Sequence, residues 1–312
     1  MTKVVALGGG HGLSASLQAL KQVTDDLTAI VTVADDGGSS GRLRQELGMV
    51  PPGDLRMALA ALSGDDDWSQ TWTRLLQHRF GGDGPLSGHA IGNLVLAGLT
   101  DDLGLVASLD LVGRLVGARG RVLPASTTPL EIVAEVVGLD PADRSAVSRV
   151  VGQVAVATTT GDVCALQLLP EDPPACPEAV QAVLDADVVV LGPGSWLTSV
   201  ITHLLVPELR DALVKTPAQR VVALNLAPQP GETEGYSPET HLEVLLAHAP
   251  EMSVDVVVAD EDRVLDRRGL MEAVESAGGR LVLAPVSLGD GTPRHDPDRL
   301  AAVYRDILKG SA

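Results

Sequence analysis

The chain has 312 residues, with 23 Lys or Arg against 41 Asp or Glu, and therefore a formal net charge of −18. An acidic surface repels a polyanion, and no run of Lys or Arg offsets this charge, which excludes nucleic acid as a partner. Aromatic residues form only 2% of the chain, too few for the stacking surfaces that single-strand binders use.

The amino-terminal segment predicts a first β-strand rather than a targeting sequence. Its apolar run, Val4–Leu7, is followed by glycine and is too short for the hydrophobic region of a signal peptide. No segment has the length of apolar residues that a membrane helix needs. The two cysteines, Cys164 and Cys176, lack the spacing of a zinc site and are interpreted as reduced thiols. We therefore expect a cytoplasmic protein without membrane insertion.

Six short runs rich in valine and other apolar residues predict the strands of a sheet. Continuous apolar runs are typical of strands covered on both faces, and helical stretches separate most of them, as in parallel crossovers. The sequence therefore predicts an α/β fold, a Rossmann-like three-layer sandwich with a mainly parallel sheet. The predicted strands are Val4–Leu7, Ala29–Ala34, Val188–Leu191, Val221–Leu226, Val254–Ala259 and Leu281–Pro285.

About 150 residues separate the second and third of these strands, which is more than one loop of a compact domain holds. Their first part, about 53–113, has apolar residues at helical spacing and predicts a helical insertion. Their second part, about 130–170, alternates apolar and polar residues around the turn signal TTGD and predicts a small antiparallel hairpin insertion. We expect one domain over residues 1–312 that carries both insertions and ends in a helix with Asp296 as its N-cap.

The first glycine-rich loop, GGGHG at 8–12, predicts a phosphate site. It follows a strand and opens the predicted helix Leu13–Leu20, where backbone N–H groups and the helix dipole favour an anion. Asp35 lies 23 residues beyond Gly12, near the place where an acid that binds a ribose ends the second strand. Glycines at a tight turn can also serve geometry alone. The candidate ligand-binding residues of this loop are Gly8, Gly9, Gly10, His11 and Gly12.

The second loop, DDGGSSGR at 35–42, combines carboxylates, hydroxyls, glycines and an arginine. Such a set can bind a ribose diol, contact a phosphate or hold Mg²⁺. The alternative is an acid-rich turn before a helix at Arg42–Leu47. Residues 37–41 also match G-x-S-x-G, but the adjacent carboxylates and the lack of a signalled histidine partner speak against a hydrolase. The candidates here are Asp35, Asp36, Gly37, Gly38, Ser39, Ser40 and Arg42.

Two further junctions between a loop and a helix precede the hairpin insertion. In PPGDLR, at 51–56, Asp54 is the predicted N-cap of a helix, and capping explains it about as well as ligand binding does. Arg56 follows in the first turn, where a cation opposes the helix dipole unless an anion is also present. In GHAIGN, at 88–93, His89 is either a general base or a polar cap. The candidates are Gly53, Asp54, Arg56, His89 and Asn93.

A second unit of strand, turn and helix comes late in the chain. Strand Val188–Leu191 is followed by GPGS at 192–195 and by a helix from Trp196, so exposed N–H groups and a serine are again available to a phosphate. After the next strand, the polar loop at 225–233 is long enough to close over a base or a sugar. The candidates are Gly192, Gly194, Ser195, Thr198, Asn225, Gln229, Gly231 and Glu232.

Seven segments in this order carry a family resemblance: GGGHGLSASLQAL, TAIVTVADDGGSSGRLR, PPGDLRMALAAL, GHAIGNLVLAGL, RGRVLPAS, VVVLGPGSWLTSV and QPGETEGYS. They resemble the YvcK-like gluconeogenesis factors, a branch of the superfamily that includes 2-phospho-L-lactate transferase (CofD). The resemblance runs from Val4 to about Tyr236, and beyond it only the strand pattern and the GTPRHDP segment at 291–297 agree. It departs at His11, because the more usual first loop reads GGGTG.

The resemblance implies a cytoplasmic protein that binds UDP-sugars, UDP-N-acetylglucosamine in particular, in a type of site also able to hold a nicotinamide dinucleotide. It implies a regulatory role in cell-wall precursor supply and cell shape on gluconeogenic carbon sources, with no catalytic residue, no metal and no required cofactor. We also expect a homo-oligomer.

The related transferases move a phospholactyl group onto a deazaflavin with Mg²⁺, using acids in the corresponding loops. This chain keeps acids there, at Asp35, Asp36 and Asp54, but its six aromatic residues are few for stacking on a deazaflavin. A Mg²⁺-dependent transferase that acts on a nucleotide-activated substrate is therefore the alternative to a non-catalytic regulator. A dehydrogenase comes third.

Overall fold

The computed structural model describes residues 2–310, and the elements below are those of that part of the chain. The strands are β1 Lys3–Gly8, β2 Asp26–Val31, β3 Arg121–Pro124, β4 Glu131–Val137, β5 Ser148–Val151, β6 Asp162–Leu169, β7 Val188–Leu191, β8 Gln219–Ala223, β9 Val256–Asp260 and β10 Arg280–Ala284. The helices are α1 Gly10–Leu20, α2 Gly38–Leu47, α3 Gly53–Leu62, α4 Asp67–Gln77, α5 Ile91–Leu103, α6 Leu105–Leu115, α7 Gln153–Ala157, α8 Pro177–Leu184, α9 Thr202–Leu204, α10 Pro207–Lys215, α11 Pro238–His248, α12 Arg267–Ser276 and α13 Pro297–Gly310, and a π-helix spans Trp196–Ile201.

The larger sheet is parallel throughout and has seven strands in the order β10-β9-β8-β7-β1-β2-β3. Every residue of β7 and β9 is buried, because valine-rich strands at the middle of a parallel sheet are covered by helices on both faces. This confirms the predicted α/β fold with a mainly parallel sheet. The second strand ends at Val31, the partner of Gly8 at the end of β1, so Thr32, Val33 and Ala34 continue as buried loop rather than strand.

The sequence did not predict β3, the strand at one edge of this sheet. It has only four residues, it follows Gly120 and it ends in Pro124, a composition more typical of a turn than of a strand. It pairs in parallel with β2, with Thr28 opposite Arg121. The 150 residues between the second and third predicted strands therefore contain a further strand of the main sheet.

The order of the strands reverses between β1 and β7. These two strands are neighbours, yet the chain moves from β1 outward to β2 and β3, and from β7 outward to β8, β9 and β10. Because crossovers between parallel strands are right-handed, the helices that follow β1 and β7 leave toward opposite faces of the sheet. A crevice opens between the two loops at such a point, and it is where α/β sheets bind ligands.

The two regions predicted as insertions have the expected secondary structure. Helices α3 to α6 fill the helical region, and β4 pairs in antiparallel fashion with β5 on one side and β6 on the other. The short helix α7 between β5 and β6 was not predicted, because valines at 154 and 156 in GQVAVA have the spacing of a strand. This helix contributes to the site described below.

The last helix begins where the sequence predicted. The side chain of Asp296 accepts hydrogen bonds from the N–H groups of Asp298 and Arg299, at 2.9 and 3.3 Å, which confirms it as the N-cap. The helix packs on α1, where the hydroxyls of Tyr304 and Ser16 lie 2.9 Å apart in the core. Across residues 2–310, none of the helices combines the length and the apolar character that crossing a bilayer requires.

Candidate functional site

A cavity of about 560 Å³ lies at the reversal point of the sheet, between the loop after β1 and the loop after β7. Its walls also include the start of α3, the segment after β8, part of helix α7 and the segment before α13. The cavity therefore joins four of the segments that the sequence singled out. The predicted residues that line it are Gly9, Gly10, His11, Gly12, Asp54, Gly194, Ser195, Asn225, Gln229 and Glu232.

The other candidates lie around the cavity without lining it. Some form the loop of 35–42 and its neighbours, and others stand directly behind the cavity walls. They are Gly8, Asp35, Asp36, Gly37, Gly38, Ser39, Ser40, Arg42, Gly53, Arg56, His89, Asn93, Gly192, Thr198 and Gly231.

The loops approach one another so closely that glycine is needed at the contacts. A Cβ atom on Gly12 would lie 2.3 Å from the carbonyl oxygen of Pro193, and one on Gly9 would lie 2.6 Å from Oδ2 of Asp54. A Cβ on Gly53 would lie 2.3 Å from the hydroxyl oxygen of Ser40. The glycines of GGGHG thus serve two purposes, since they also expose the first-turn N–H groups of α1, which have no carbonyl partner within the helix.

The carboxyl of Asp54 lies against the first glycine-rich loop, and its pKa is shifted from the ordinary value. Its pKa is raised to about 7, first by burial and then by the negative charge of Asp35, while an N–H group donated by Gly10 and the charge of Arg56 act in the opposite direction. The predicted role of Asp54 as an N-cap is wrong. The helix begins at Gly53 after Pro52, so Asp54 is a first-turn residue whose carboxyl is free to face the loop of 8–12.

The N–H groups of the second glycine-rich loop have side-chain partners in this structure. The carboxylate of Glu232 accepts hydrogen bonds from the N–H of Thr198 and the hydroxyl of Ser195, both at 2.7 Å. Gln229 accepts from the N–H of Trp196 at 3.2 Å, and Asn225 accepts from the N–H of Gly194 at 3.0 Å. The polar loop after β8 therefore caps the helix that follows β7.

The helix predicted from Trp196 is present, and it opens as a π-helix. The N–H of Val200 bonds to the carbonyl of Ser195, five residues earlier, at 3.1 Å. Short π-helical turns are rare and often occur at functional sites. Here the wider turn accompanies a buried polar interior that includes His203, whose pKa burial lowers to about 4.

The loop of 35–42 supports the site from the side. Oδ1 of Asp36 accepts a hydrogen bond of 2.9 Å from the N–H of Val154, so it holds helix α7 against the cavity. Asp35 accepts from the N–H of Gly37, also at 2.9 Å, in a local turn. The guanidinium of Arg42 donates to the carbonyls of Pro85 and Ser87, which lie away from the cavity.

A buried network connects the remaining polar candidates. Nε of Arg56 donates to Asn93 at 2.8 Å, Asn93 donates to Ser39 at 3.0 Å, and the hydroxyl of Ser39 lies 3.0 Å from Nδ1 of His89. Ser39 accepts from Asn93, and which of Ser39 and His89 donates in the second bond depends on the tautomer of the ring. The G-x-S-x-G serine thus has a histidine partner that the sequence did not reveal, but both residues are buried and neither lines the cavity.

Ten residues that line the cavity were not among the sequence candidates: Pro193, Leu226, Ala227, Pro228 and Pro230 lie within the two late loops, and five lie elsewhere. Of these five, two belong to α7 and two to the segment before α13, and the fifth follows Thr198 in the π-helix. The GTPRHDP segment was the one sequence signal for Pro293 and His295. No sequence signal pointed to α7, because it is more than 90 residues from Asp54, the nearest preceding residue that lines the cavity. The five are Gln153, Ala157, Ser199, Pro293 and His295.

His295 is held as a neutral ring. Burial lowers its pKa to about 4, although a hydrogen bond from the ring to the carbonyl of Leu224 and the charge of Asp260 both raise it. One ring nitrogen donates to Leu224, and the other is therefore an acceptor at neutral pH. Pro293 and His295 both line this part of the cavity.

The charges of the cavity are unusual for a phosphate site. Of the residues that the structure describes, those lining the cavity include the carboxyls of Asp54 and Glu232 but neither Lys nor Arg. Arg56 is the nearby cation, and it is buried, with a pKa lowered to about 10 chiefly by that burial. Within 2–310 no three His, Cys, Asp or Glu side chains group closely enough to hold a metal ion by themselves.

Comparison with known proteins places this chain in a family. The family model described as 2-phospho-L-lactate transferase CofD matches residues 4–278. The chain belongs to the CofD family. Among members related to it, a Mycobacterium tuberculosis protein named "Putative gluconeogenesis factor" is 54% identical over 97% of this chain and 90% of its own length. The "Gluconeogenesis factor" of Bacillus subtilis is 36% identical over 98% of both chains.

The CofD-family fold is also that of a solved structure. A crystal structure of a UPF0052-family protein from Bacillus halodurans superposes with a TM-score of 0.86, at 33% identity over 97% of this chain and 98% of that one. The resemblance inferred from the seven sequence segments is thereby confirmed, and so is the fold.

Proposed function

We propose that this CofD-family chain is a non-catalytic regulator that binds UDP-N-acetylglucosamine in the cytoplasm and adjusts cell-wall precursor supply and cell shape during growth on gluconeogenic carbon sources. The observation that carries the proposal is the pairing of two glycine-rich loops, at Gly9–Gly12 and Gly194–Ser195, on one cavity at the reversal point of a parallel sheet. The names of the Mycobacterium and Bacillus relatives support the regulatory role.

The first loop supplies the better phosphate site of the two. The amino-terminal end of α1 carries a partial positive charge and N–H groups without helical partners. Asp54, with a pKa of about 7, adds to this site, because its neutral carboxyl can donate a hydrogen bond to a phosphate oxygen. A diphosphate bound there is neutralised by donors of the protein, and a metal ion is not required.

Thermal unfolding with added ligand tests the proposal. A ligand that binds only the folded state at 100 times its Kd stabilises it by about 2.7 kcal/mol, so UDP-N-acetylglucosamine should raise the Tm clearly. NAD is the comparison ligand, since the same type of site can hold a dinucleotide. A shift with NAD and none with millimolar UDP-N-acetylglucosamine would reverse the assignment in favour of a dinucleotide enzyme.

The second candidate is a Mg²⁺-dependent transferase that acts on a nucleotide-activated substrate. Two observations favour it: the carboxyls of Asp35 and Asp54 are close enough to interact, and Lys and Arg are missing from the described cavity lining. Mg²⁺ is usually held by one or two carboxylates together with substrate phosphates, so this pair fits the ion. The metal would neutralise charge on the phosphates, and Asp35 and Asp54 would hold it.

Metal removal separates the two candidates. We expect UDP-N-acetylglucosamine to bind with the same affinity in EDTA, and prolonged incubation with Mg²⁺ and an acceptor such as a deazaflavin to release neither UMP nor UDP. Product that forms only with Mg²⁺, and disappears in Asp54→Asn, would establish the transferase instead.

A further inference from the structure

Glu232 is an acid on the wall of the cavity with no cation as its partner. The residue is 5% exposed, and it forms no ion pair within the described chain. The two carboxylate oxygens accept one hydrogen bond each, from Ser195 and Thr198. A carboxylate has about four lone-pair positions, so its hydrogen-bonding capacity is half used, and the group still borders the cavity.

The loop that carries Glu232 is tied to its neighbours at several points. The N–H of Gln229 donates to the hydroxyl of Thr233 at 2.8 Å, and Thr233 is fully buried. Gly231 has a φ of +81° and lies against the backbone of Ala157 and Thr158, where a Cβ would be 2.8 Å from the carbonyl oxygen of Ala157. Glu232 is therefore a fixed group of the cavity wall.

This arrangement changes what the second glycine-rich loop can bind. Its N–H groups at Gly194, Trp196 and Thr198 already have acceptors, and one of these is a negative carboxylate. A phosphate at this wall would meet that charge without a compensating cation from the described lining. A neutral group that presents hydroxyl or amide hydrogens would instead find an unshared carboxylate lone pair, which makes a strong charge-assisted bond.

We infer that Glu232 recognises the hydroxyl or amide N–H donors of the bound ligand, and that the diphosphate lies across the cavity at Gly10–Gly12. The inference rests on the proposed nucleotide-sugar function and specifies it, because it assigns the wall at Ser195 and Glu232 to a polyol rather than to phosphate. The donors can come from the ribose or from the second sugar, and the choice of probes distinguishes these sources.

The test is the substitution Glu232→Gln, which keeps the shape of the side chain. The amide oxygen can still accept from the N–H of Thr198, and the amide NH₂ can donate to Ser195, so the cap of the helix is retained. The matched control is Glu234→Gln, an exposed acid of the same loop that does not line the cavity. Both variants are first checked for a Tm within two or three degrees of wild type, about the range that a change of under 1 kcal/mol produces in a chain of this size.

Calorimetry then measures the Kd of UDP-N-acetylglucosamine and of UDP for each protein. We expect Glu232→Gln to weaken UDP-N-acetylglucosamine by about tenfold or more, and Glu234→Gln to leave it unchanged. If UDP keeps its affinity in Glu232→Gln, the donors belong to the sugar. If UDP weakens equally, they belong to the ribose.

Two results would overturn the inference alone. Wild-type affinity in Glu232→Gln would show that the carboxylate does not contact the ligand. Tighter binding in Glu232→Gln would show that the carboxylate occupies a phosphate position and repels the diphosphate. Failure of the wild-type chain to bind either UDP compound is a different outcome, because it removes the proposed function together with this assignment.

Discussion

Gly12 of the first loop lies directly against the backbone of Pro193 in the second. A Cβ on Gly12 would be 2.3 Å from the Pro193 carbonyl oxygen and 2.5 Å from the Cα of Gly194, and both neighbours are backbone atoms that cannot rotate away. The contact sets the spacing of the two loops, and with it the width of the cavity between β1 and β7.

We therefore expect Gly12→Ala to damage both stability and binding. Forcing a methyl group into such a contact costs about 1–3 kcal/mol, and the loops must separate to admit it. Urea unfolding and the Kd of UDP-N-acetylglucosamine measure the two effects. Ser14→Ala is the control, since its hydroxyl is on the same helix and accepts a long hydrogen bond of 3.5 Å from Gln18. A Gly12→Ala protein that equals wild type in both assays would show that the contact is loose.

A second prediction concerns Asp36, which holds α7 by its hydrogen bond to Val154. Asp36→Ala leaves that N–H without its acceptor, and bonds to a charged group contribute about 1.5–3 kcal/mol. Because Gln153 and Ala157 of α7 line the cavity, ligand affinity should fall as well. Asp36→Asn keeps an acceptor oxygen and should recover most of both. Equal losses of affinity in the two variants, without loss of stability, would instead indicate direct contact between the carboxylate and the ligand.

The third prediction follows from Asp54. Its folded pKa of about 7 exceeds the ordinary value of 3.8, so the folded state binds the proton more tightly between these two values. The contribution of Asp54 to stability is therefore complete below about pH 4 and is lost as pH rises through 7, at no more than about 1.4 kcal/mol per pH unit. Asp54→Asn should accordingly gain stability over wild type as pH increases from 5 to 8.

Ligand affinity should also depend on whether the carboxyl of Asp54 is protonated. A diphosphate near Asp54 favours the neutral carboxyl, so the affinity of the wild-type protein for UDP-N-acetylglucosamine should increase as pH falls from 8 to 6. In Asp54→Asn this part of the dependence should vanish. The secondary pKa of the ligand itself is avoided by the use of a diester such as a UDP-sugar. A pH profile identical in both proteins would remove Asp54 from the phosphate site.

The fourth prediction concerns the effect of His203 on stability at acidic pH. His203 is completely buried and its pKa is lowered from 6.5 to about 4, so the unfolded chain binds the proton more readily than the folded one between these values. This residue therefore lowers stability as pH falls from 6.5 to 4, a sign opposite to that of Asp54. His203→Gln should lose less stability than wild type between pH 7 and 4.5 by urea unfolding. The control is His78→Gln at an exposed position, which should lose as much unfolding free energy as wild type between pH 7 and 4.5.

The sequence by itself determined most of the elements and the contents of the loops, although it did not predict β3 or α7. Valine runs without polar interruption specify buried parallel strands, and glycines at the ends of two of them specify tight turns into helices. The rule that carboxyl ends of parallel strands meet at one edge then predicts that these loops converge. That convergence is present, since Gly9, Asp54 and Gly194 line one cavity.

Only the tertiary structure decided which groups inside those loops face the cavity. Asp36 and Arg42 belong to the most unusual motif, yet their hydrogen bonds go to Val154, Pro85 and Ser87. Such partners are 43 to 118 residues away along the chain, and no local pattern encodes a pairing of that kind.

The same holds for charge. The sequence shows Asp54 and Glu232 simply as acids, but burial beside Asp35 raises the pKa of one, and two donors from the π-helix region fix the other. Both effects depend on solvent exclusion and on distances between residues far apart in sequence. The strand pattern is local and can be predicted from the chain, whereas the electrostatics of the cavity arise only when the sheet brings distant loops together.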